Sequence, residues 1–82
     1  MSFEPEPFEE ELFNANTRFM WQQLMLVRNI PECHGTLKKV LPKLVVVGKQ
    51  EFNEIIRDTY GQLLPYIISY GEAYIVKNEE YL

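Results

Sequence analysis

Apolar residues recur at every third or fourth position in three stretches of this 82-residue chain, and Pro31 and Gly48 stand between those stretches. That period is the mark of amphipathic helices, because positions i, i+3, i+4 and i+7 share one helical face, whereas a half-buried strand alternates every second residue. In the first stretch Leu12, Phe13, Ala15, Phe19, Met20, Leu24 and Val27 keep largely to this spacing. Its N-cap is Asn14 or Asn16, since asparagine is poor inside a helix and good at its start. It ends before Pro31, whose ring pushes Ile30 out of helical geometry. Trp21 and Met25 lie off that stripe, so apolar side chains occupy most of the circumference. Such a helix is either central in its own core or shared with a partner.

Residues 31–35 read as a connector, with Thr36 as the N-cap of a second helix that carries Leu37, Val40, Leu41, Leu44 and Val45 at i, i+3, i+4, i+7 and i+8. Two features oppose this helix. Pro42 removes a backbone hydrogen bond at a cost of about 3 kcal/mol, and the triplet Val45-Val46-Val47 favours a strand. Gly48 ends the element under either reading. The third stretch places Phe52, Ile55, Ile56, Thr59 and Leu63 at helical spacing, with Glu51 and Glu54 near its start, where the helix dipole favours acids. A continuous helix would set the ring of Pro65 against the carbonyl of Gly61, which predicts a kink or break. Residues 66–77 fit a helix with Leu63, Ile67, Tyr70 and Tyr74 on one side, and they also fit a hairpin turning at Gly71-Glu72. The expected fold class is all-α, a compact three- or four-helix domain; the alternative is α+β with a C-terminal β-hairpin.

A chain of this length makes one small domain that buries only about 64% of its unfolded surface, so its stability is marginal. With 46% hydrophobic and 13% aromatic residues it nevertheless folds. Residues 1–7, Met-Ser-Phe-Glu-Pro-Glu-Pro, lack apolar periodicity and are expected to form a mobile acidic tail, leaving 8–82 as the domain. The net charge of −4 hides three blocks: −5 over residues 1–12, +5 over 13–49 and −4 over 50–82. An acidic chain with pI near 4.9 is not expected to bind nucleic acid directly or to sit on an anionic membrane. Its longest purely apolar runs are four residues, far short of the roughly 20 that a membrane span needs. One cysteine, Cys33, and an acidic N-terminus without a cleavage motif point to a cytoplasmic or otherwise intracellular location.

Chemistry-bearing patterns are sparse. Lys43-Leu-Val-Val-Val-Gly48 resembles a strand entering a phosphate loop, but Lys-Gln-Glu-Phe follows and the required glycine-lysine pattern is missing. Cys33-His34 supplies two of the three or four ligands that zinc needs. The glutamates lie at the N-terminus or, like Glu51, Glu54 and Asp58, along an expected solvated face rather than paired across a pocket. No catalytic residue, cofactor or metal is expected, and the chain reads as a non-enzyme.

Its aromatic residues point to protein partners. Tyr60, Tyr66, Tyr70, Tyr74 and Tyr81 crowd the last 23 residues, and tyrosine, with a rigid apolar ring and a polar tip, is enriched at interfaces. With the off-stripe residues of the first helix they give an expected interface of Trp21, Met25, Tyr66, Tyr70 and Tyr74, used in a homodimer or with another protein. Phe8, Glu9, Glu10 and Glu11 form an acidic, aromatic segment suited to a partner's groove. Lys38, Lys39, Lys43 and Lys49 form a basic patch, either solvated or docking an acidic segment. The expected function is a protein-interaction module, an adaptor or a subunit of a larger assembly. The alternative is an acidic inhibitor, of the kind a phage or virus carries, occupying the basic cleft of a nucleic-acid enzyme.

Overall fold

The computed structural model describes the backbone of residues 10–79 and the side chains of residues 11–72. A short 3-10 turn, Glu10–Leu12, leads into three helices: α1 (Ala15–Leu26), α2 (Pro31–Leu44) and α3 (Lys49–Glu79). No strand occurs among the described residues, and the molecule is all-α. Asn14 is the N-cap of α1: its Oδ1 accepts from the Thr17 backbone N–H at 2.8 Å and from the Thr17 hydroxyl at 2.7 Å. At the other end the Val27 N–H bonds the Leu24 carbonyl, and the Arg28 guanidinium donates to the Met25 carbonyl, placing a cation where the helix dipole is negative.

The expected connector at residues 31–35 is instead the first turn of α2. Ile30 is extended at φ −71°, ψ 127°, and Pro31 takes the first helical position, where its missing N–H is no loss and its fixed φ suits the helix. Pro31, expected to stop α1, instead starts α2, and α1 ends at Leu26, with Val27 as its cap and residues 27–30 between the two helices. Thr36 is therefore interior, and its hydroxyl bonds back to the Glu32 carbonyl at 3.2 Å instead of capping. The valine triplet is no strand either: it forms the turn between α2 and α3, with Val45 and Val46 60% and 80% exposed.

Neither internal proline breaks its helix. Pro42 and Pro65 are both exposed, as are Lys38 and Gly61 four residues back, so water can bind the carbonyls the prolines leave unpaired. The hairpin alternative fails. A glycine-first turn would need positive φ at Gly71, yet no described glycine has it, and α3 runs on through Gly71-Glu72.

Both α1 and α2 pack on α3. Asn14 at the start of α1 bonds Asn53 near the start of α3, while Leu26 at the end of α1 lines a cleft with Ile67 and Tyr70, so α1 and α3 run parallel and α2 returns between them in sequence. The core is Trp21, Leu24, Met25, Val27, Cys33, Leu37, Leu44, Phe52, Ile56, Leu63 and Ile67. Phe13 folds over one end of it, edge-on to Phe52 at 5.0 Å between ring centres and tilted against Trp21 at 6.4 Å.

Asn53 joins the chain's beginning to this frame. Only 7% exposed, it accepts from the Asn14 N–H at 3.2 Å and donates to the carbonyls of Leu12 at 2.9 Å and Lys49 at 2.6 Å. Its amide thereby matches both a donor and an acceptor at the junction of the 3-10 turn with α1, as a buried polar group must.

Candidate protein-binding face

The orientation of α1 decides which apolar side chains remain for a partner. Its buried residues are Thr17, Trp21, Leu24 and Met25, spaced i, i+4, i+7 and i+8. Trp21 and Met25, expected at an interface, are 6% and 8% exposed and belong to the chain's own core. Ala15 and Phe19, expected inside, face solvent, and Phe19 is 56% exposed. The inward face holds the tryptophan because burying the largest side chain removes the most apolar area from water. The cost is an outward face that carries Phe19 and the 49%-exposed Leu26.

These two residues belong to a continuous flank. Phe19, Gln23 and Leu26 stand at i, i+4 and i+7 on α1, and Leu64, Ile68 and Gly71 at the same spacing on α3. The two rows meet in a cleft of about 300 Å³ lined by Gln23, Leu26, Ile67, Tyr70 and Gly71. Ile68 is 51% and Tyr70 40% exposed.

Charge is missing from this region to an unusual degree. Residues 19–27 and 59–71 contain no Asp, Glu, Lys or Arg, although Gln22, Leu26, Gly61, Gln62, Pro65, Ile68 and Ser69 among them are exposed. A helix facing only water normally carries charges there, whereas the centre of a protein interface is depleted of them. This absence is legible in the sequence as a charge pattern, to which hydrophobic periodicity is blind.

The other expected sites are dispersed. Tyr66 is half-buried against the core; Tyr74 lies in α3, with its side chain outside the described residues. Phe8 and Glu9 fall outside the described residues altogether; Glu10 opens the 3-10 turn and Glu11 is exposed. Lys38, Lys39 and Lys43 are exposed on α2, and Lys49 begins α3. Lys49 also lines an open cleft of about 470 Å³ with Asn14, Gln50, Asn53, Glu54 and Arg57, where the Glu54 carboxylate offsets one of the two cations.

Cys33 and His34 do not form a pair: Cys33 is fully buried, while His34 points to the half-exposed side of α2. Burial pushes the Cys33 thiol up, and the neighbouring Glu32 carboxylate adds to the rise, so the reactive thiolate is disfavoured. Among the described residues no three His, Cys, Asp or Glu side chains converge as metal ligands would, and no helix is long and apolar enough to cross a membrane. No protein-family model, curated protein or solved structure matches the chain.

Proposed function

We propose that the protein is a non-enzymatic interaction module, an adaptor or a subunit of a larger assembly, and that it docks through the α1–α3 flank. The observation that carries this reading is the uncharged flank, where Phe19, Leu26 and Ile68 stay about half exposed on helix faces, while the other strongly exposed aliphatic side chains among the described residues, Val45 and Val46, lie in the turn between α2 and α3. Two parallel helices with a shallow apolar cleft between them offer a groove for a further helix, one of the recurring modes of peptide recognition.

Affinity capture of the tagged protein from its native cells tests the proposal. The expected result is a stoichiometric complex lost in the Phe19→Glu/Leu26→Glu double variant, whose substitutions sit on exposed positions and leave the core intact. A complex that survives the double variant would place the docking surface elsewhere. Recovery of the protein free of any complex would remove the reading.

A further inference from the structure

We infer that the α1–α3 flank pairs with a second copy of this chain about a twofold axis, an inference that rests on the flank being a docking surface. A twofold contact sets one surface patch against itself, so the patch must tolerate its own charge pattern. That requirement separates the faces of this molecule. The outer side of α2 presents Lys38, Lys39 and Lys43, which would meet three lysines of the same sign. The first turns of α3 expose Glu51, Glu54 and Asp58 against the two cations Lys49 and Arg57, which leaves that face an excess of negative charge. The flank of residues 19–27 and 59–71 has no charge to repel its copy.

Its polar groups suit self-pairing as well. Gln22 and Gln23 border the exposed Phe19 and Leu26, and a carboxamide carries both donor and acceptor, so each can bond its own kind across a twofold. An axis perpendicular to the helices would lay the α1–α3 pair of one copy antiparallel on that of the other, a four-helix arrangement with Leu26 and Ile68 in its shared layer. Half-exposed Phe19, Leu26 and Ile68, at about 100 Å² each, with the two glutamines bring the buried area to roughly 400 Å² per copy, or about 800 Å² in all. That is the size of a weak, transient contact, and it predicts a dimer that dissociates on dilution.

Sedimentation or light scattering of the purified full chain reads the result. At about 100 μM the mass is expected to be twice the 9.7 kDa of one chain. It should hold in about 0.5 M NaCl, since an uncharged contact has little to screen, whereas an acidic segment docked on the α2 lysines would be released. Phe19→Glu/Leu26→Glu and Phe19→Lys/Leu26→Lys should each give one-chain mass with unchanged helical content. Mixed in equal amounts, they should recover the doubled mass, because each face then meets one of opposite sign.

A one-chain mass for the natural sequence overturns the inference. So does a doubled mass that either variant retains, which moves the contact to another face. If the variants dissociate but fail to recombine, the contact is head-to-tail and the twofold is refuted. A monomer that still captures a partner through Phe19 and Leu26 would leave the docking face standing while removing the self-pairing; a dimer that captures nothing else would keep the self-pairing and remove the adaptor reading.

Discussion

Asn53 should be far less replaceable than its polarity suggests. Asn53→Ala deletes the acceptor for the Asn14 N–H and the donor to the Leu12 and Lys49 carbonyls. The Lys49 bond is local to one helix turn, so the loss falls on the two bonds that span 39 and 41 residues of sequence. At about 1 kcal/mol each, the variant should lose about 2 kcal/mol. For a domain of this size that lowers the melting temperature by roughly 8 to 16 °C.

Asn53→Asp separates the two halves of the amide. The carboxylate can still accept from Asn14, but its second oxygen replaces a donor that sits 2.9 Å from one carbonyl and 2.6 Å from another. It should therefore be less stable than the alanine variant at pH 7 by at least about 1 kcal/mol. Burial and the facing carbonyls raise the carboxyl's pKa in the folded state above its unfolded value near 3.9, so the aspartate variant gains stability as pH falls toward 4 and loses it again as pH rises. Urea titrations of the three proteins at pH 7 and about pH 4.5 supply the comparison. An aspartate variant equal to or above the alanine variant at neutral pH would mean that the amide does not face those carbonyls. An alanine variant within about 0.5 kcal/mol of the natural protein would mean that the 3-10 turn is not held by Asn53.

Three further outcomes follow from burial and backbone geometry. Trp21 emission should be blue-shifted and poorly quenched by iodide, and Trp21→Ala should lose about 3 to 5 kcal/mol; a red-shifted, quenchable tryptophan would return it to the surface. The Cys33 thiol should react with alkylating reagents only after unfolding. Its pKa is higher folded than unfolded, so stability present at neutral pH declines as pH rises through the ordinary thiol value near 8.5, a decline that Cys33→Ala abolishes; alkaline titration of stability in both proteins checks this. Pro65→Ala should raise stability by about 1 to 2 kcal/mol, because α3 is continuous and only regains a hydrogen bond to Gly61; thermal melts showing a loss would mean that the proline shapes a bend the fold needs.

Much of this architecture was legible from residue spacing. Phe52, Ile56, Thr59 and Leu63 are buried as their period requires, and one of the two candidate caps of α1, Asn14, is the one used. What spacing could not resolve was the choice among signals that serve two purposes. Pro31 reads both as a stop for one helix and as a favoured first residue of the next, and the stop alone puts the N-cap of α2 at Thr36, six residues past its place at Ile30. On α1, apolar residues cover so much of the circumference that two faces satisfy the helical period, and tertiary packing selected the one with Trp21. The exposed apolar flank follows from that selection. Spacing alone puts Phe19 in the core, although the charge-free runs on either side of the cleft mark the flank independently.

The parallel arrangement of α1 and α3 also sets an order of events during synthesis. The four-residue turn between α2 and α3 lets those helices meet as soon as both exist, whereas α1 must wait for the half of α3 that holds Leu63 and Ile67. At 5 to 20 residues per second the ribosome needs about 2 to 8 seconds to pass from Leu26 to Ile67. Throughout that interval Trp21, Leu24 and Met25 have no finished surface to cover them, while helix formation itself takes about a microsecond. The nascent chain therefore presents the uncovered Trp21, Leu24 and Met25 of α1 for a time that is long on the scale of folding, a window in which a chaperone is best placed to hold it.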